Sequence, residues 1–189
     1  MGEENILKKP EIIMFAGPRG SGKTTAAKFA NIIEPYINAN EIKKSNFCSN
    51  IEAAQIAEDL RNKLIDEKKS FTFETMLSTE RNLFQLKRAK SEGFFIQCIY
   101  VLTADPAINI SRVAVRTLFG EYYVPDKKVV ERYEKSLNLI PRMLNICDVC
   151  SIYDNSSIPF LIFKKRSNGY NYWENEFWNI EKIKRLVDM

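Results

Sequence analysis

Short apolar runs alternate with longer stretches in which apolar and charged residues recur at helical spacing. Ile12 to Ala16 is an apolar run ended by Gly17 and Pro18, which predicts a buried strand. Thr24 to Ile33 is Ala-rich and reads as a helix. Tyr36 and Ile37 give a short second strand after Pro35. Ile51 to Lys69 has helical periodicity, with Ser49 or Asn50 as its cap. Phe71 to Phe73 predicts a strand that ends at Glu74, and Thr79 to Ser91 a helix closed by Gly93. Phe94 to Leu102 is the longest apolar run. It is rich in aromatic and β-branched residues and is expected to be the central strand.

The second half continues the alternation. Ala107 to Leu118 reads as a helix after Pro106, closed near Gly120. Asp126 to Ile146 is largely helical, with an interruption near Pro141. Ser151 to Tyr153 starts another strand. Ile158 to Lys165 and Tyr170 to Trp173, around Asn168-Gly169, predict a hairpin, and Glu174 to Val187 a last helix. The aromatic stretch Tyr170 to Trp178 is read as hairpin and core packing rather than a base-stacking platform. Strands alternating with helices imply an α/β fold, a three-layer sandwich around a mostly parallel sheet covered on both faces. The expected organisation is one domain over residues 1–189, with a lid-like helical region near 105–125 and a C-terminal hairpin and helix over 158–189.

The segment after the first strand carries the chemistry. Gly17-Pro18-Arg19-Gly20-Ser21-Gly22-Lys23-Thr24 fits the phosphate-binding pattern G-x-x-x-x-G-K-[ST], between a predicted strand and a predicted helix. Glycines there let backbone N–H groups turn toward phosphate oxygens, and the helix N-terminus adds positive potential. Lys23 is expected to reach the β- and γ-phosphates of ATP, and the Thr24 hydroxyl to ligate Mg²⁺. This makes the chain a P-loop nucleotide-binding protein but leaves the reaction open, because kinases, switches, motors and transport ATPases share the loop.

Composition narrows the classes. The net charge of +4 is too small to argue for nucleic acid or an anionic membrane, and neither is expected as a partner. No apolar run is long enough to span a bilayer, and Met1 to Pro10 lacks the pattern of a signal peptide, so a cytoplasmic location is expected. The chain has no histidine, so acid–base work falls to carboxylates, lysine or tyrosine. Cys147 and Cys150 form a C-x-x-C pair at the end of a helical stretch, where packing is the expected role.

In an open parallel sheet, ligands bind outside the carboxyl ends of the strands. Those ends carry Asn38-Ala39-Asn40-Glu41, Glu74-Thr75, Thr103-Ala104-Asp105 and Asp154-Asn155-Ser156. Glu74 stands out because it directly ends an apolar strand, where it can reach a metal's water shell or a substrate hydroxyl. Arg112 and Arg116 lie four apart on one predicted helix face. Like charges at that spacing cost roughly 0.2–0.5 kcal/mol, a cost that a bound polyphosphate would offset.

Taken together, these residues resemble the zeta-toxin family of P-loop kinases over most of the chain, from Ile12 to Ser156. Besides the loop, the matching pieces are Asn38-Ala39-Asn40-Glu41-Ile42, Phe73-Glu74-Thr75-Met76-Leu77-Ser78 and Arg112-Val113-Ala114-Val115-Arg116. Val124-Pro125, Arg132-Tyr133 with Ser136-Leu137, and Tyr153-Asp154-Asn155-Ser156 follow in order. The resemblance implies ATP-dependent phosphorylation of the 3′-hydroxyl of UDP-N-acetylglucosamine, with an antitoxin protein as a partner. It implies Lys23, Asn40, Arg112 and Arg116 as catalytic residues. Gly17, Pro18, Arg19, Gly20, Ser21, Gly22, Lys23, Thr24 and Thr25 would bind the nucleotide, with Thr24 on the metal. Glu74, Thr75 and Ser78 would line the acceptor pocket.

Two positions depart from the family. Its proposed general base is an acid, and here that position is Asn40, a neutral amide that cannot take a hydroxyl proton. The adjacent Glu41 is expected to aim elsewhere. The family's G-G-H-x-V-P turn reads Gly120-Glu121-Tyr122-Tyr123-Val124-Pro125. Asn40 is compatible with a weakened kinase, with a relative using another acceptor, or with a substitution that lets a toxic enzyme be produced. The rival class is a non-catalytic ATP-binding module.

Overall fold

The computed structural model describes residues 9–167 and 169–187. Its elements are β1 (Glu11–Ala16), α1 (Lys23–Lys28), β2 (Tyr36–Ile37), α2 (Ala39–Asn46), α3 (Asn50–Asp66), β3 (Phe71–Thr75), α4 (Arg81–Ser91) and β4 (Phe95–Leu102). Then follow α5 (Pro106–Leu118), α6 (Asp126–Asn138), α7 (Ile140–Leu144), β5 (Val149–Asp154), β6 (Phe160–Arg166), β7 (Gly169–Tyr172) and α8 (Ile180–Val187). The strands form one sheet of order β2-β3-β1-β4-β5-β6-β7. The first five are parallel to one another, and β6 and β7 join antiparallel. The longest apolar run thus lies at the sheet centre, and the C-terminal hairpin extends the sheet. Of its turn, Asn168 lies outside the described residues, as do Met1 to Lys8.

Alternation along β1 divides the core between the two faces. Ile12, Met14 and Ala16 pack with Ile96, Cys98 and Tyr100 of β4 in a cluster that also takes Leu64 and Ile65 of α3 and Leu83 and Leu86 of α4. Met143 of α7 and Ile183 of α8 join the same cluster. Burying each Ile, Leu or Met among them contributes about 1.5–3 kcal/mol. Ile13 and Phe15 face the other way, against Ala26, Ala27, Ala30 and Ile99, so this second layer is thinner. Cys98, Cys147 and Cys150 are buried free thiols, and burial pushes the Cys98 thiol well up, which keeps it protonated.

The local signals explain most boundaries. Ser49 and Glu52 form a reciprocal capping box, which selects Ser49 as the cap of α3. The helical stretch near Pro141 is broken at Leu139, with Pro141 in the first turn of α7. One expectation is corrected, and one helix has no counterpart in the sequence reading. The first helix ends at Lys28, not Ile33, because the Ile33 N–H donates to Thr72 Oγ1 of β3 at 2.7 Å instead of to a helical carbonyl. The segment after β2 is helical: the Asn38 side chain caps α2 by accepting from the Asn40 N–H at 2.9 Å.

Candidate active site

The phosphate loop is shaped by close approaches that only glycine permits. Gly17 has φ +138°, and a Cβ there would lie 1.9 Å from the Val101 carbonyl oxygen. Gly22 has φ +102°, and its Cβ would lie 2.3 Å from Asn155 Nδ2. Gly17→Ala combines a strained backbone with a clash against backbone that cannot rotate away. It is expected to cost at least roughly 1–3 kcal/mol, read as a lower melting temperature. A variant that melts like the parent would contradict this packing.

Three consecutive carbonyls of the loop are held from outside. Asn109 of α5 donates from Nδ2 to the Arg19 oxygen at 2.7 Å, and Asn155 donates to the Ser21 oxygen at 2.7 Å. Arg112 lies between them, donating to the Gly20 oxygen at 3.4 Å and the Ser156 oxygen at 3.3 Å. Lys23 is buried, with Nζ donating to the Pro18 carbonyl at 3.0 Å. Burial, opposed by Glu74 and reinforced by Arg116 and Arg19, lowers its pKa to about 8. A buried ammonium held only by a carbonyl is short of negative charge, which fits a phosphate.

Beside it, the Thr24 hydroxyl donates to Glu74 at 2.9 Å. Glu74 also accepts from Tyr36 Oη at 2.9 Å and from Asn38 Nδ2 at 3.2 Å. Strand β3 places this carboxylate next to the loop because Phe15↔Glu74 and Ala16↔Thr75 are in register. A hydroxyl and a carboxylate in contact are hard oxygen donors. They suit Mg²⁺, which keeps several waters and takes few protein ligands.

Loop and strand ends open into one cleft of about 470 Å³. Arg19, Gly20, Gly22, Lys23 and Thr24 line it, as do Asn40, Glu74, Thr75, Ser78 and Arg116. Glu41 lines it too, because the cleft wraps the N-terminal turn of α2. The Arg116 guanidinium makes no hydrogen bond or ion pair among the described residues. Gly17, Pro18 and Ser21 are buried within the loop and do not line the cleft, and Thr25 is exposed on α1 outside the lining. Arg112 also stays outside it, against the loop's carbonyls. Cations outnumber carboxylates seven to four around the cleft, which favours a polyanionic occupant.

Glu121 and Tyr122 of the turn after α5 line this cleft as well. Arg19 of the loop donates to Tyr122 Oη at 2.5 Å and pairs with Glu121 at 3.0 Å. The Tyr122 ring lies between two cations, Arg19 at 4.2 Å and Lys43 of α2 at 4.6 Å from its centroid. Glu121 and Tyr122, the two residues that depart from the resembling family's turn, therefore tie the segment after α5 to the loop.

Sequence reasoning did not single out Asn109, Tyr36 or Arg61, and it gave Arg19 no role beyond the nucleotide. Asn109 is fully buried and bonded to Thr103, but it shares a helix face with Arg112 and Arg116, so no apolar stripe sets it apart. Arg61 does carry a signal, as the one charge among Ala53, Ala57, Leu64 and Ile65 on the buried side of α3. Tyr36 reads as an ordinary strand aromatic, and only the fold brings its hydroxyl to Glu74.

No protein-family model matches the chain. An uncharacterized protein of Haemophilus influenzae is 28% identical over 127 residues, covering 64% of this chain and 91% of that protein. Among solved structures, a chain of the PezAT chromosomal toxin–antitoxin system of Streptococcus pneumoniae superimposes with a TM-score of 0.58 at 18% identity. It covers 83% of this chain and 71% of its own. The AvrRxo1-ORF1:ORF2 complex with ATP gives 0.70 at 14% identity, covering 97% of this chain, which spans 65% of that one. The chain thus shares the fold of these toxin–antitoxin structures, an α/β three-layer sandwich. No helix among the described residues is long and apolar enough to cross a membrane.

Proposed function

We propose that the chain is an ATP-dependent phosphotransferase that phosphorylates a hydroxyl of a nucleotide-activated sugar such as UDP-N-acetylglucosamine. The observation that carries this reading is the single cleft. It joins the Lys23 ammonium and the Thr24–Glu74 pair to Asn40 and Ser78, so a donor phosphate and an acceptor hydroxyl fit side by side. When bound, ATP supplies the phosphoryl group and Mg²⁺ neutralises charge on it.

The chain's own residues hold and orient. Lys23 and Arg116 stabilise negative charge on the transferring phosphoryl, which a loose transition state spreads over its equatorial oxygens. The Asn40 amide accepts the hydrogen bond of the acceptor hydroxyl and aims it without removing its proton. Thr75 is engaged by the Leu77 N–H at 3.0 Å and by Asn82 at 2.5 Å, so it shapes the pocket wall. Arg112 acts through the loop backbone. The exposed apolar residues Leu118, Phe119 and Tyr123 at the lid's tip fit an antitoxin that would bind across the cleft mouth.

The test is incubation with MgATP and UDP-N-acetylglucosamine, read by mass spectrometry. A product heavier by one phosphoryl group supports the reading. ATP binding without product from this or any other nucleotide sugar overturns it in favour of a non-catalytic binding module, the reading that Asn40 favours.

A further inference from the structure

Arg61 lies on the α3–α4 side of the cleft and is 7% exposed, yet it lines that cleft. Its hydrogen-bond partners are neutral. Nε donates to Gln85 Oε1 at 2.6 Å, and one terminal nitrogen donates to Asn82 Oδ1 at 3.3 Å. The guanidinium stacks over the Phe73 ring at 4.9 Å, one residue before Glu74. Among the described residues no carboxylate lies within ion-pair distance of it. The acid that acts on it is Glu58, and that carboxylate is paired with Arg81 at 3.0 Å. The group of Arg61, Glu58 and Arg81 therefore keeps one uncompensated positive charge.

An unpaired buried charge is expensive, and such charges are otherwise paired or hydrogen-bonded to opposite charge. Burial holds the Arg61 guanidinium down at about 10, still charged at neutral pH. The amides leave the remaining N–H groups of the fork without a protein acceptor, and a planar fork matches phosphate oxygens. Gln85 is itself fixed by Asn62 Oδ1 at 2.8 Å, and Asn82 by Thr75 Oγ1 at 2.5 Å, so the fork is held in one orientation.

We propose that Arg61 anchors a second anion subsite, separate from the phosphate loop, which takes a phosphate group of the acceptor. This rests on the phosphotransferase reading and adds a residue that selects phosphate-bearing acceptors over neutral ones. Arg61 is a binding residue, not a catalytic one, and it senses charge remote from the reacting hydroxyl.

Binding tests this without any turnover. The full chain is loaded with Mg²⁺ and the unreactive analogue adenylyl imidodiphosphate, which fills the phosphate loop. It is then titrated calorimetrically with inorganic pyrophosphate, N-acetylglucosamine 1-phosphate, UDP-N-acetylglucosamine and uncharged N-acetylglucosamine. At least one phosphate-bearing probe is expected to bind, and Arg61→Met to weaken it about ten- to hundredfold. The affinity for the uncharged sugar should not move. The tighter of the sugar phosphate and the nucleotide sugar identifies the source of the phosphate. Without ligand, Arg61→Met should melt no lower than the parent, because a buried unpaired charge has gone.

If Arg61→Met does not fold, Arg61→Lys serves. It keeps the charge but loses the fork, and about a tenfold weakening of the phosphate-bearing probes is expected. The proposal is overturned if none of these probes binds with the loop filled, or if the folded variant binds them as tightly as the parent. Phosphorylation of an uncharged sugar alongside that result would leave the phosphotransferase reading standing, so the two fail separately.

Discussion

Lys23→Ala is expected to abolish measurable phosphoryl transfer while leaving the fold in place. The ammonium is the charged group most deeply set in the phosphate loop, and its one hydrogen bond is to the Pro18 carbonyl. Removing a charge-stabilising group aimed at a transition state costs about 10²–10³-fold or more. The fold should tolerate the change, because the lost group is a desolvated charge with a single neutral partner. Circular dichroism and the melting temperature check the fold, and the mass-spectrometric assay checks transfer. Full turnover in the variant would sink the assignment. The same residue sets a pH dependence for ADP binding measured without metal. With its pKa at about 8 in the free protein, Lys23 is already charged below that pH. Above it, binding must take up a proton, so affinity should fall by up to about tenfold per pH unit, and the slope should vanish in Lys23→Ala.

The second large effect is a gain. Asn40→Asp places a carboxylate at the second residue of α2, in the cleft, where the resembling family carries its acid. A positioned general base contributes about 10²–10⁴-fold. Two features of this site pull the expected gain toward the lower end. The helix N-terminus stabilises the ionised form and so weakens it as a base, and a loose phosphoryl transition state needs little proton transfer. Glu41 lines the same cleft and offers another base. Turnover that is already fast in the parent, unchanged in Asn40→Asp and lost in Glu41→Gln would move the role by one residue.

The phosphate loop, the central strand and the strand-end carboxylate were legible because each is written in a contiguous segment. Gly17 to Thr24 fixes its own geometry, and the Phe94–Leu102 run admits little but a buried strand. What stayed hidden depends on partners distant in sequence. Helix α2 is only eight residues long, and its signal is a single Asn38-x-x-Glu41 spacing. The end of α1 was misjudged because Thr72, thirty-nine residues away, captures the Ile33 N–H. Arg112 and Arg116 look equivalent in sequence, one helical turn apart. The fold sends Arg116 into the cleft and Arg112 to the back of the loop. No local pattern distinguishes them, because the difference lies in how α5 is rotated against the loop.

The anchoring of the loop's carbonyls has a thermodynamic consequence. Across a planar trans peptide, carbonyl and N–H point in opposite directions. Fixing the Arg19 and Ser21 oxygens from outside therefore turns the Gly20 and Gly22 amides the other way. Ordering a glycine-rich segment costs about 1–2 kcal/mol per residue. Here that entropy is lost when the chain folds, through Asn109 and Asn155, and not when a ligand arrives. The cradle is rigid before its guest arrives, so nucleotide should raise the melting temperature by simple mass action, about 2.7 kcal/mol at a hundredfold excess over Kd, with little further ordering of the backbone.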